Sequence, residues 1–173
     1  MNYQFQANTH AASASADCIV VGVYKANELS QAATQLDLAS SGAIAKHLEL
    51  GDFGGDKNRF SMLYQIPGVA AKRVLLVGLG ERDKLTVDTL TQAAYCAANT
   101  LKATKVSQVI SFITDEASAA WADNAVRQSI TAVADTFYSF NDFKSNKDEI
   151  PPPNLEQWVV AHRTEANLET ATH

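Results

Sequence analysis

The residues best suited by type and spacing to do chemistry are the glycines of Gly78-Leu79-Gly80. They follow an apolar run and precede a helical pattern. A dinucleotide-binding turn sits in that position, its glycines letting the backbone approach a pyrophosphate. The third glycine of that fingerprint would fall at position 83, which is Asp83, and a carboxylate there repels phosphate. The segment is therefore read as a tight strand-to-helix turn that needs small residues. A small-ligand crevice at the carboxyl end of the strand is the alternative. Gly54-Gly55-Asp56-Lys57-Asn58 resembles part of a phosphate loop, but it lacks the Gly-Lys-Ser/Thr core, which excludes a Walker site.

Other chemistries fare no better. His10, His47, His162 and His173 are scattered, with no His-Glu-x-x-His and no cysteine pair, so no metal-ligand pattern is present. His47 and Glu49 diverge on a helix and read as a solvated face. There is no Gly-x-Ser-x-Gly, and Ser40-Ser41-Gly42 reads as a helix start. The carboxylate pairs Asp115/Glu116 and Asp148/Glu149 read as helix caps or solvated charge. Cys18 and Cys96 lie among small apolar residues and read as buried thiols. The aromatics Phe137, Tyr138, Phe140 and Phe143 near Lys144 could stack on bases, but their spacing matches a helix end packed on a core. We assign no catalytic, cofactor-binding or metal-binding residue to this chain.

The elements that would position these groups are legible. Tyr3–Gln6 alternates as a short strand. Asp17–Tyr24 and Arg73–Gly80 are nearly continuous in apolar residues, as strands covered on both faces are. A helical pattern begins at Asn27 and Glu28 and carries Leu29, Ala32, Ala33 and Leu36. A second, Ser40–Leu50, places Ile44, Ala45 and Leu48 on one face and ends at Gly51. Arg59–Ile66 reads as a strand, followed by a Pro67-Gly68 turn. Thr86 caps a helix with Asp88 in its first turn; Val87, Leu90, Ala94, Ala97 and Leu101 form its apolar face. Val106–Thr114 is a strand. A long helix from Glu116 to about Ser139 is lined by Ala122, Val126, Ile130, Val133 and Phe137. After the charged loop Lys144–Glu149 and Pro151-Pro152-Pro153, Leu155–Ala161 is a last strand. The order β-β-α-α-β-β-α-β-α-β predicts a three-layer α/β/α sandwich with a mixed sheet.

Composition agrees. The chain has 173 residues, 46% hydrophobic and 19% charged, as expected for a single globular domain. This is too apolar for disorder, and two cysteines cannot frame a disulfide scaffold. Fourteen basic residues against nineteen acidic ones, a net charge of −5, speak against a nucleic-acid module. The N-terminus has neither the basic start nor the apolar stretch of a secretory signal, and no run is long enough to span a bilayer. A cytoplasmic location is expected.

Several blocks also resemble a known family. Asp17-Cys18-Ile19-Val20-Val21-Gly22-Val23, Gly51-Asp52-Phe53-Gly54, Pro67-Gly68-Val69-Ala70-Ala71-Lys72 running into Arg73–Gly80, and Tyr138-Ser139-Phe140 with Phe143-Lys144-Ser145 are similar to the N-terminal domain of the cytosolic leucyl aminopeptidases (the M17 metallopeptidases). The resemblance implies a macro-domain-like fold over residues 1–163, with 164–173 beginning a connector to a C-terminal catalytic domain. It also implies a hexameric parent enzyme that removes leucine-like N-terminal residues with two divalent metals, zinc or manganese. The metal ligands of that family lie in an Asn-Thr-Asp-Ala-Glu-Gly-Arg context, which does not occur here. The expected role is therefore non-catalytic: packing on the catalytic domain and supporting the oligomer. A nucleic-acid-binding regulatory module is one alternative; the other, implied by the macro-like fold, is a small-ligand domain of the ADP-ribose-binding kind, with Gly78 and Gly80 lining its pocket.

Overall fold

The computed structural model describes residues 2–7, 11, 14–117, 120–142 and 155–162. Seven strands form one mixed sheet: β1 (Asn2–Ala7), β2 (Cys18–Tyr24), β3 (Glu28–Leu29), β4 (Phe60–Tyr64), β5 (Arg73–Gly80), β6 (Gln108–Ser111) and β7 (Gln157–His162). Their spatial order is β1-β7-β6-β2-β5-β4, and β3 pairs separately with β2. β1, β7, β6, β2 and β5 run parallel; β4 is antiparallel to β5. Helices α1 (Gln31–Ala39) and α2 (Ala43–Glu49) cover one face, α3 (Val87–Leu101) and α4 (Ala122–Asp142) the other. The predicted three-layer α/β/α sandwich is what forms.

Strand alternation divides the interior into two cores. Cys18, Val20 and Tyr24 of β2, Leu75, Val77 and Leu79 of β5, and Trp158 and Val160 of β7 face α3 and α4. Ile19, Val21, Val23, Val74, Leu76, Val159 and Ala161 face α1 and α2. The unbroken apolar runs seen in the sequence thus serve two cores at once. Helix α3 begins as expected, with a capping box in which Thr86 and Thr89 satisfy each other's backbone N–H groups.

Several boundaries and faces differ from expectation. Helix α1 starts at Gln31, because Ser30 accepts the Ala33 N–H as its cap; Glu28 and Leu29 instead pair with β2 after a left-handed turn at Ala26 and Asn27. Ala45 faces solvent, while Ile44 and Leu48 are buried. β4 ends at Tyr64, where Gln65 takes a positive φ of 51°. β6 is only Gln108–Ser111, and the chain then turns through Ile113–Glu116. Helix α4 accordingly begins at Ala122 rather than at Glu116. Lys144–Glu149 and Pro151-Pro152-Pro153 lie outside the described residues.

Asp17 joins the starts of the central strands. One carboxylate oxygen accepts the Ser107 N–H at 3.0 Å, the Ser107 hydroxyl at 2.8 Å and the Gln108 N–H at 3.3 Å. Chiefly the two Ser107 bonds hold its pKa below the usual value, with burial opposing them. A carboxylate with a lowered folded-state pKa stabilises the fold above its unfolded pKa of about 3.9, and the contribution is lost as pH falls through the folded value. Asp17→Ala is expected to cost about 1–2 kcal/mol near neutral pH. In urea titrations the gap from the parent chain should close in acid; a gap independent of pH would remove the charge from this account.

Candidate functional site

The crevice with the strongest topological claim lies at the carboxyl ends of β2, β5 and β6. β2 leaves the sheet towards α1 on one face, whereas β5 and β6 leave towards α3 and α4 on the other. Crossovers departing to opposite faces open a gap where ligands of doubly wound proteins bind. The Gly78-Leu79-Gly80 turn is at this point, with Gly80 in the left-handed region at φ 74°.

The chain itself fills much of that gap. The loop between α2 and β4, held in the core by buried Phe53, brings Gly55 and Asp56 across the strand ends. Gly80 N–H donates to the Gly55 carbonyl and Gly78 N–H to the Arg59 carbonyl, both at 2.9 Å. A Cβ on Gly78 would overlap the Asp56 carbonyl oxygen, and one on Gly55 would overlap the Tyr24 carbonyl. Both glycines are therefore needed for backbone to lie against backbone.

A polar network closes the remainder. Glu116 accepts the Gln31 N–H at 2.6 Å and bonds the hydroxyl of buried Tyr24. Burial first, then the Glu116 charge, pushes the Tyr24 pKa upward. The Arg82 guanidinium lies 4.4 Å from the centre of the Tyr24 ring, and Arg82 donates to the Glu28 carboxylate at 2.9 Å and to the Leu29 carbonyl at 3.2 Å. With Ser30 taking the Ala33 N–H, side chains of this protein occupy first-turn donors of α1 that could otherwise meet an anion. Sequence reasoning read Glu116 as the cap of its own helix; it serves α1 instead, 85 residues away in sequence. Glu116→Ala is expected to cost about 1–3 kcal/mol by leaving Tyr24 and the α1 terminus unpaired, with Glu116→Gln losing less. Denaturant unfolding of the pair reads this, and equal losses would assign the effect to charge rather than to the bonds.

The space left over is a cleft of ≈ 290 Å³ lined by Lys25, Asp56, Lys57, Gly80, Glu81 and Lys84. Lys25 pairs with Asp56 at 3.6 Å and Lys84 with Glu81 at 3.0 Å. Lys84 holds the Glu81 carboxyl below its usual range. An incoming anion would meet carboxylates as well as ammonium groups.

The remaining candidates disperse. Among the described residues, no group of three His, Cys, Asp or Glu side chains could hold a metal ion. Cys18 is buried and its thiol is pushed up to about 12 by loss of hydration; burial also raises Cys96. Ser40 accepts the Ala43 N–H at the start of α2. His47 is not a bare solvated residue: its Nε2 lies 2.6 Å from the Ser61 hydroxyl on β4. Phe137 packs into the core of α3 and α4. Tyr138 and Phe140 have no described side chains, and Phe143 and Lys144 fall outside the described residues. No helix among the described residues is long and apolar enough to cross a membrane.

Comparison with known proteins bears directly on this arrangement. The family model described as "Cytosol aminopeptidase family, N-terminal domain" matches residues 20–147. A probable cytosol aminopeptidase of Acidithiobacillus ferrooxidans is 39% identical over 141 residues, which cover 81% of this chain and 28% of the relative. The chain thus spans less than a third of that relative's length. Among solved structures, a tomato leucine aminopeptidase mutant superimposes with a TM-score of 0.76 at 21% identity, over 99% of this chain and 35% of the other. A macrodomain of Oceanobacillus iheyensis gives 0.67 at 10% identity, over 95% and 86%. Both likenesses are likenesses of fold.

Proposed function

Since the chain belongs to the cytosol aminopeptidase family, matching its N-terminal domain, we propose that it is the non-catalytic N-terminal part of a cytoplasmic metallo-aminopeptidase. In this reading it packs on a C-terminal catalytic domain and supports assembly of a hexamer. The whole protein removes leucine-like residues from peptide N-termini by two-metal hydrolysis, with zinc or manganese held outside this region. Residues 1–163 are the domain, and 164–173 begin the connector. A divalent metal bound in the catalytic domain would supply a Lewis acid and an activated water.

The observation that carries the reading is the family match over most of the chain, combined with a strand-end crevice occupied by the chain's own Gly55, Asp56 and Glu116. A domain whose ligand crevice is filled by its own backbone suits a scaffold better than a receptor. The test is direct. The 173-residue chain, supplied with Mn²⁺ and a leucine anilide, should show no hydrolysis. It should co-purify with the separately expressed catalytic domain of a cytosol aminopeptidase. Turnover proportional to chain concentration would overturn the non-catalytic role; failure to associate would overturn the packing role.

A further inference from the structure

The outer edge of β4 meets the conditions for pairing with another strand. β4 ends the sheet, and no described strand lies beyond it. Its inner side is committed to β5 through the register Phe60↔Val77 to Tyr64↔Arg73. At the two ends of this ladder, Gly78 donates to Arg59 and Gln65 donates to Lys72. Antiparallel ladders alternate, so Arg59, Ser61, Leu63 and Gln65 turn their backbone groups towards β5. Phe60, Met62 and Tyr64 must then turn theirs outward.

Edge strands are ordinarily protected by an inward-pointing charge, a proline or a bulge. β4 has none of these: it reads Phe-Ser-Met-Leu-Tyr, rich in strand-favouring side chains. Phe60 is 51% exposed and Tyr64 67% exposed. A groove of ≈ 440 Å³, lined by Lys46, His47 and Gln65 as well as Leu50 and Ile66, runs along one side of the strand; a second, of ≈ 380 Å³, lies between Phe60 and Cys96 on the other.

We propose that this edge pairs with the same edge of a second copy of the chain, antiparallel about a twofold axis at Met62. The strand is self-complementary in that register. Phe60 falls opposite Tyr64 of the second copy, Met62 opposite Met62, and Arg59 opposite Gln65. All three outward residues then lie in hydrogen-bonded pairs, giving about six ladder bonds. Two aromatic pairs form on the face shared with α3, and no charge meets its like. A twofold contact of this kind closes on itself and gives a dimer rather than a fibre. Self-complementarity selects a second copy over an unrelated peptide strand, and the inference does not depend on the aminopeptidase reading.

Sedimentation velocity over a dilution series should show a reversible monomer–dimer equilibrium. Phe60→Lys combined with Tyr64→Lys sets lysine opposite lysine twice and should give monomer. Phe60→Lys combined with Tyr64→Glu places each introduced lysine opposite an introduced glutamate and should recover dimer, a result specific to this register. Circular dichroism establishes that both variants are folded. If either is not, amide exchange of the parent chain decides: the Phe60, Met62 and Tyr64 amides should gain protection with concentration. A chain monomeric throughout, a double-lysine variant still dimeric, a folded lysine–glutamate variant that stays monomeric, or edge amides insensitive to concentration would each overturn the proposal.

Discussion

Gly78→Ala should lower the unfolding free energy by about 3–5 kcal/mol, among the largest losses a single methyl can cause. The position carries no positive φ, so backbone conformation is not the source. The loss comes from collision: the added Cβ would overlap the Asp56 carbonyl oxygen and crowd the Gly55 carbonyl carbon at 2.9 Å. Those atoms are backbone and cannot turn aside as a flexible side chain could. Relief requires moving the whole crossing segment. That breaks the Gly78–Arg59 and Gly80–Gly55 hydrogen bonds, and the strain reaches Phe53, which anchors the loop in the core. Gly54→Ala is the matched control. Gly54 lies in the same loop with nothing within 4 Å of its built Cβ, so its change should stay within about 0.5 kcal/mol. Urea unfolding of both variants reads the difference. Equal stability of the two would mean that the loop does not press on the strand ends as described.

The second large effect is expected at Trp158. Its side chain is 1% exposed and sits among Val109, Val133, Phe137 and the other residues facing α3 and α4. Trp158→Ala should cost about 3–5 kcal/mol, from lost burial and from the cavity left behind. The consequence reaches past the cavity, because β7 lies between β6 and β1, and among the described strands β1 pairs with β7 alone. Amide protection should therefore fall first in β1 and β7, while the β2–β5 centre stays protected. Trp121→Ala offers the contrast, since that ring is only partly buried against the same core; its loss should be near 1–2 kcal/mol. A larger loss at Trp121 than at Trp158 would contradict the burial described for the two rings.

The sequence contains two tryptophans, and nothing in local pattern ranks them. That is where legibility stops generally in this protein. The two apolar runs announced strands covered on both faces, because period and composition within a few residues report burial directly. Thr86 announced a helix start because its cap is made three residues away. Ser30, by contrast, is not marked out locally from Asn27 and Glu28 as a helix start: the β3 pairing that claims Glu28 and Leu29 depends on the chain folding back beside β2. Glu116 was legible as a charge in a turn but not as the partner of Gln31 and Tyr24. The bare glycines were legible as a turn, while the segment pressed against Gly78 was not.

The amino-acid order alone determined the main strands and helices and most of their apolar faces, with β3, the start of α4 and Ala45 excepted, and, through blocks such as Pro67–Gly80, the family. Each of these rests on side chains close together in the chain, where stereochemistry and burial period act directly. The tertiary structure decided what occupies the strand-end crevice, which tryptophan carries the core, and which strand is left at an open edge. Those outcomes depend on the order β1-β7-β6-β2-β5-β4. Loop closure across tens of residues brings groups together that exert no influence on one another until the sheet has formed.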